Sequence, residues 1–287
     1  MNNNIFHIGY HKTATTWFQK NFYPFVNHIS FIERQKIRSY FYENNIENFD
    51  SNIHQVFCDE ELSGNIHNGG LSGFLTDNVA QKISKFNSPK VIIFIRNQYD
   101  IIASSYMQYV KEGGNYSISK YISHSSFPRS NRSALFSYAH FDYYRLIKLY
   151  ESLIGKENIY VYLFEDFVQD NKGFISEFIK DHDFDIIIED LDFISNNRSY
   201  SYLSYRLARF FNCFTREKTL FKYYILHIPY LYKYVREILS RISFSSLKPR
   251  NLLTKKIKRE ILSYYKLSNS NLSKEYGFKL RDLGYPI

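Results

Sequence analysis

Ile5-Phe6-His7-Ile8-Gly9-Tyr10-His11-Lys12-Thr13-Ala14-Thr15-Thr16 is the stretch on which the architecture turns. Ile5 to Gly9 reads as a short buried strand, and Thr15 to Phe22 as the start of a helix. Between them lies a tight loop. Further along, Val91 to Ile95 is an uninterrupted apolar run after Pro89. A strand buried on both faces of a parallel sheet has that pattern. It ends at Arg96-Asn97, and Ile101 to Val110 continues as a helix. Ile53 to Cys58 and Ile159 to Leu163 read as two more strands. Strands alternating with helices predict right-handed βαβ units. The expected fold is therefore α/β, a central parallel sheet flanked by helices. Tyr200 to Thr215 and Lys255 to Leu267 read as helices of a helical C-terminal part. One domain over 1–287 is expected, with 1–170 as the α/β core and 171–287 as a mainly helical part.

The loop from Gly9 to Thr16 has the chemistry of an anion site. Unpaired N–H groups at a helix N-terminus point outward, and the helix dipole adds partial positive charge. His11, Lys12, Thr13, Thr15 and Thr16 add side-chain donors. The order of residues is P-loop-like, but it is not a Walker A loop, which requires a second Gly directly before the Lys. Lys12 follows Gly9 by three positions and precedes Thr13 and Ala14. Enzymes that use Mg²⁺-bound nucleotides also need a metal-holding carboxylate near the phosphates. The strand ending at Ile95 is followed instead by Arg96. That choice suits a nucleotide without a metal, so no metal is expected.

Composition sets the remaining bounds. The 287 residues carry a formal charge of +9, which favours anionic partners without choosing among them. Tyr (27) and Phe (26) are so evenly spread that they read as compositional bias rather than as a binding array. Cys58 and Cys213 are the only cysteines, and neither belongs to a CxxC pair. A disulfide framework or structural zinc is not expected, and a reducing, cytoplasmic location fits. No basic n-region with an apolar h-region opens the sequence, and no apolar run reaches membrane-spanning length.

With these residues in view, the sequence resembles the PAPS-dependent sulfotransferase family, in its bacterial carbohydrate-directed branch. Lys12-Thr13-Ala14-Thr15-Thr16 matches the family's Lys-Thr/Ser-Gly-Thr-Thr loop for the 5′-phosphosulfate, except at Ala14. Alanine there costs little in helical backbone and more at positive φ. Arg96, with Ser104 eight positions later, matches the family's 3′-phosphate pair. An arginine fork and a helical hydroxyl suit a phosphate. Cys58-Asp59-Glu60-Glu61-Leu62-Ser63 resembles the Ser-x-Glu-x-Leu-Ser segment of bacterial and Golgi-type members, with Cys58 at the first Ser. That alignment selects Glu60 as general base. Glu61, Asp59, His54 and His67 stay open as alternatives. Neighbouring carboxylates are expected to raise one pKa. Lys12, with weaker help from His11, would stabilise the bridging oxygen.

Further matches are less specific. Glu165-Asp166-Phe167 resembles a structural segment of the family. Asn197-Arg198-Ser199, Leu207 to Asn212, Ser268 to Leu272 and Leu283 to Pro286 resemble bacterial members. Lys248 and Arg250 stand where relatives place a basic loop over the 3′-phosphate. The resemblance implies PAPS (3′-phosphoadenosine-5′-phosphosulfate) as donor, PAP as product and a carbohydrate hydroxyl as acceptor, on a polysaccharide, lipooligosaccharide or glycolipid. No nucleic-acid partner is expected. Gly113-Gly114-Asn115 reads as a hinge for a substrate loop. The basic aromatic stretch Lys218 to Leu247 reads as a core helix with a charged face, or as a peripheral contact with an anionic membrane. The rival functions are a P-loop-like kinase and a non-catalytic basic glycan- or nucleic-acid-binding module.

Overall fold

The computed structural model describes residues 4–43, 49, 53–123, 134–193, 202–215, 225–241 and 249–287. Five parallel strands form one sheet: β1 (Asn4–His7), β2 (Ser30–Phe31), β3 (Gln55–Cys58), β4 (Pro89–Ile95) and β5 (Ile159–Leu163). Their spatial order is β2-β3-β1-β4-β5, with every pairing parallel. Four of these are the strands that the apolar runs predict. The two-residue edge strand β2 is an addition, too short to show a period of two. β1 is shorter than expected, but its ladder continues irregularly: Ile8 N donates to Ile92 O at 2.9 Å.

Alternation across the sheet divides the core in two. Phe6, Ile8, Phe57, Val91, Ile93 and Ile95 face one side, with Ile102, Tyr106, Leu146, Tyr150 and Ile261 packed against them. Those partners come from α4 (Gln98–Lys111), α6 (Tyr143–Ile154) and α11 (Lys255–Tyr276). Ile5, Val56, Cys58, Ile92 and Phe94 face the other side. They meet Phe18 and Phe22 and, from α8 (Asn171–His182), Ile175 and Phe178. The first helix starts where expected, but only Thr15–Trp17 is α-helical; Phe18–Phe22 widens to a π turn. The helical C-terminal part also contains α9 (Tyr202–Phe211) and α10 (Leu231–Arg241).

Three core histidines impose a pH dependence. Burial drives the pKa of His7 and of His182 down to about 3, and that of His140 well below its ordinary value. All three are therefore neutral in the fold, whereas the unfolded chain protonates them near 6.5. The unfolded state then binds more protons below pH 6.5, so stability is full above that pH and falls as pH drops from there towards 3. Each such group contributes a slope of about 1.4 kcal/mol per pH unit once the unfolded form is fully protonated. Thermal unfolding scans are expected to show Tm falling steeply between pH 6.5 and 5. A flat Tm over that range would contradict neutral burial of these rings.

Candidate active site

Strand order reverses at β1, because β3 lies on one side of it and β4 on the other. Ligands of open α/β sheets bind outside the carboxyl ends of strands at such a point. Three segments meet there: residues 9–16 after β1, Asp59 to Gly64 after β3, and Arg96-Asn97 after β4.

The first segment is held by close contacts. A Cβ on Gly9 would lie 2.9 Å from His7 Nε2 and 3.1 Å from Thr13 Oγ1, so only glycine fits. The buried Thr13 hydroxyl donates to Tyr10 O. Ala14 has φ 67° and ψ 8°, and Lys12 has φ 68°. A glycine at position 14 would take this backbone without strain, and Ala14 carries the cost that positive φ implies. Left-handed backbone costs a non-glycine residue about 1–2 kcal/mol, partly offset by about 0.4–1 kcal/mol from glycine's freer unfolded chain. Ala14→Gly is therefore expected to raise Tm by roughly 1–2 °C. A lower Tm in a melting experiment would contradict the left-handed assignment.

Two polar atoms of this loop are buried without a partner among the described residues, His11 Nδ1 and Thr15 Oγ1. Such atoms are costly unless something pairs with them. His11 Nε2 faces Glu61 Oε1 at 3.3 Å. Lys12 is solvent-accessible, and its ammonium donates to Gln108 Oε1 at 2.8 Å. Partial desolvation lowers the Lys12 pKa and Lys111 lowers it further; Glu112 pulls the other way, Arg96 lowers it again, and Glu60 opposes them. Thr16 is exposed beside it.

Arg96 extends from the end of β4 towards the same loop. Its Nη1 donates to Lys12 O at 2.9 Å, and its guanidinium lies 4.6 Å from the centre of the Phe164 ring. Burial lowers its pKa. Asp100, the acid nearest it in sequence, pairs instead with Arg250 through two bonds of 2.8 Å. Arg96 forms no ion pair among the described residues, which leaves its fork for an external anion. Ser104 is half-buried on α4 and makes no hydrogen bond to the described residues. Arg250 is on the same side as Arg96, across the ring of Tyr99, with its fork occupied by Asp100. Lys248 and Asn197-Arg198-Ser199 lie outside the described residues.

The loop after β4 is fastened from below. Glu165 accepts from Asn97 N at 2.8 Å and from the Tyr285 hydroxyl at 2.9 Å. Asn97 caps α4 by accepting from Tyr99 N, and its amide donates to Leu283 O at 3.0 Å. Tyr143 OH donates to Arg96 O at 2.6 Å. Glu165 and the Leu283 to Pro286 stretch are thus braces of the Arg96 loop.

The acidic segment is organised by two arginines of α2 (Arg34–Tyr42) that the sequence alone gave no reason to single out. Asp59 is wholly buried, takes Arg38 Nε at 2.7 Å and Nη2 at 3.1 Å, and accepts from Glu61 N. Burial raises its pKa, but the Arg38 and backbone hydrogen bonds outweigh that and lower it overall. Buried and held by Arg38, Asp59 is placed as a brace of this segment. Glu60 faces Arg34 Nη2 at 2.6 Å and Gln19 Nε2 at 3.2 Å. Glu61 holds His11. His54 precedes β3 and so sits at the amino end of the strands, away from this cleft. His67 does approach, through Glu112 at 3.3 Å. The Gly113-Gly114-Asn115 stretch is held in this conformation by Asn212, which donates to Gly114 O at 2.8 Å, and by Arg209, which donates to Asn115 O at 3.0 Å. Among the described residues no group of three His, Cys, Asp or Glu is placed to hold a metal ion.

No family model matches the sequence, and no curated protein matches it. Solved structures do match. A sulfotransferase from Alicyclobacillus acidocaldarius superposes with a TM-score of 0.51 at 15% identity, over 74% of this chain and 92% of that one. The fold is a sulfotransferase fold. Mouse sulfotransferase SULT7A1 complexed with PAP aligns over 96% of this chain and 90% of its own, at 14% identity and a TM-score of 0.44. On the sulfotransferase fold, the three loops above occupy the carboxyl ends of three adjacent strands, β3, β1 and β4.

Proposed function

We propose that this chain is a PAPS-dependent sulfotransferase acting on a carbohydrate hydroxyl. The observation that carries the reading is the convergence of Lys12, Arg96 and Glu60 at one switch point, beside buried polar atoms that lack partners. Residues His11 to Thr16 would hold the 5′-phosphosulfate; Arg96 and Ser104, with Lys248 and Arg250, would hold the 3′-phosphate. Thr15 Oγ1, the Ser104 hydroxyl and the Arg96 fork are the donors that fit such a group. When bound, the donor supplies an activated sulfuryl group with a phosphate leaving group.

The chain's own residues then divide the work. Lys12 meets negative charge developing on the bridging oxygen, a preorganised electrostatic contribution. Glu60 takes the proton of the acceptor hydroxyl. Arg34 fixes the Glu60 carboxylate in place, which gives the orientation that an in-line attack requires. Glu61, bonded to His11, is the alternative base. Residues 1–170 would form the nucleotide-binding core, and 171–287 would supply acceptor elements and the elements that close over the nucleotide, within one domain.

The deciding experiment is calorimetric titration with PAP and with AMP, both without added Mg²⁺. Preference for PAP supports the reading; equal binding would return the chain to a kinase or a basic binding module.

We also propose a peripheral contact with an anionic membrane, which would favour a glycolipid acceptor. Tyr230, Tyr234 and Ile238 form an exposed stripe four residues apart, next to exposed Ile225, Leu226 and Ile228, with Lys233 beside them. Residues 216–250 contain eight Lys or Arg and two Glu. An interfacial helix combines such apolar and basic faces. No described helix is long and apolar enough to cross a membrane. Co-sedimentation with phosphatidylglycerol vesicles, but not with phosphatidylcholine, is expected, and Tyr234→Asp with Ile238→Asp should reduce it at least fivefold. Unchanged sedimentation of that double variant would end the membrane proposal.

A further inference from the structure

Lys12 stands at one end of a chain of side chains drawn from four parts of the fold. Its ammonium donates to Gln108 Oε1 at 2.8 Å. Gln108 Nε2 donates to Glu112 Oε1 at 2.9 Å, one turn along α4. Glu112 Oε2 lies 3.3 Å from His67 Nε2, and His67 Nδ1 lies 2.7 Å from the Tyr121 hydroxyl. Tyr121 belongs to α5 (Ile118–Ser123) and is wholly buried.

One arrangement of protons satisfies every link. Burial pushes the Tyr121 pKa well above its ordinary value, so the phenol keeps its proton. When the phenol donates to His67 Nδ1, a neutral ring must carry its own proton on Nε2, facing Glu112. The Glu112 carboxylate accepts that proton on one oxygen and the Gln108 amide N–H on the other. The amide then has no choice of orientation. Reversed, it would turn its oxygen to a carboxylate and its NH₂ to an ammonium. The Gln108 carbonyl is thereby locked onto Lys12.

We propose that Gln108, Glu112, His67 and Tyr121 form a positioning relay that aims the Lys12 ammonium and ties its placement to the segment 113–123 that follows α4. The inference rests on the sulfotransferase reading for the purpose that the aiming serves, but not for its geometry. None of the four residues is a catalytic residue in this scheme; each acts through Lys12. The relay occupies one hydrogen bond of an ammonium that has three donors, leaving two for an incoming anion.

The electrostatics give the relay a measurable sign. The Glu112 carboxylate favours the charged form of Lys12, and a carbonyl acceptor on the ammonium does the same. Removing either lowers the Lys12 pKa and increases its free-amine fraction at pH 8. The test is trace acetylation of the full chain with acetic anhydride across pH 7–11, read by peptide mass spectrometry, with the exposed Lys20 as internal standard. Glu112→Gln and Gln108→Leu are each expected to raise the Lys12 labelling rate at pH 8 about threefold, which corresponds to a fall of half a pH unit in its midpoint. The two changes combined should lower the midpoint further than either alone, because the Glu112 charge and the Gln108 carbonyl act on the ammonium separately. PAP is expected to protect Lys12 in the wild-type chain and to bind the variants within twofold of wild type.

Wild-type labelling of Lys12 in both variants, with Tm unchanged, would overturn the relay while leaving PAP binding and the sulfotransferase reading intact. Failure of PAP to bind the wild-type chain would instead overturn that reading, and the labelling comparison would still decide the relay.

Discussion

Arg96→Ala is expected to weaken PAP binding about a hundredfold. A hydrogen bond to a charged group contributes about 1.5–3 kcal/mol, and each 1.4 kcal/mol is a factor of ten in affinity. Arg96 has no competing ion pair among the described residues, since Asp100 is engaged by Arg250. The donors that Arg96 does not spend on Lys12 O are therefore available to a phosphate. The variant also loses the bond from Arg96 Nη1 to Lys12 O, so the 5′ loop is released at the same time. Arg96→Lys should recover only part of the loss, because an ammonium cannot reproduce the planar fork. Calorimetry with PAP and AMP on the three proteins separates the effects. AMP lacks the 3′-phosphate, so its affinity should change less than that of PAP. Equal losses for both nucleotides would assign Arg96 to loop structure rather than to the 3′-phosphate.

Glu60→Gln is expected to lower the turnover rate by about 10²–10⁴-fold, the usual contribution of a general base. The amide oxygen can keep a bond to Arg34, so the loop after β3 should hold its shape. PAP affinity is expected to stay within threefold of wild type, because the carboxylate faces Arg34 and Gln19 rather than the nucleotide loop. Glu61→Gln serves as the comparison, and a smaller effect there is expected. If Glu61→Gln removes activity and Glu60→Gln does not, the base is Glu61 with His11 as its partner.

The residues that sequence reading found and those that it missed differ in how far their partners lie along the chain. Lys12 and Arg96 each follow a strand and precede a helix, so a local pattern of apolar run, punctuation and helix start is enough to place them. The acidic segment was legible for the same reason, as the end of β3. What separates Asp59 from Glu60 is not local. It depends on Arg34 and Arg38, which project from a helix more than twenty positions earlier and have no motif of their own. Gln108 and Glu112 read as ordinary polar positions of a helix until the fold brings His67 and Lys12 to them. Ala14 hides its backbone conformation, since alanine gives no sign of positive φ, whereas a glycine there would. The edge strand β2 escaped because two residues carry no periodicity.

The clamp on the Arg96 loop joins Asn97 to Leu283, and Glu165 to Tyr285, across 186 and 120 positions of chain. Closing loops of that length costs entropy before any contact repays it. In kinetic terms, the Arg96 loop belongs among the last parts of the sheet to acquire its final geometry, although it lies far ahead of the stretch that holds it. The distal Leu283 to Pro286 stretch shares one set of bonds with that loop, and a change in either is felt by the other.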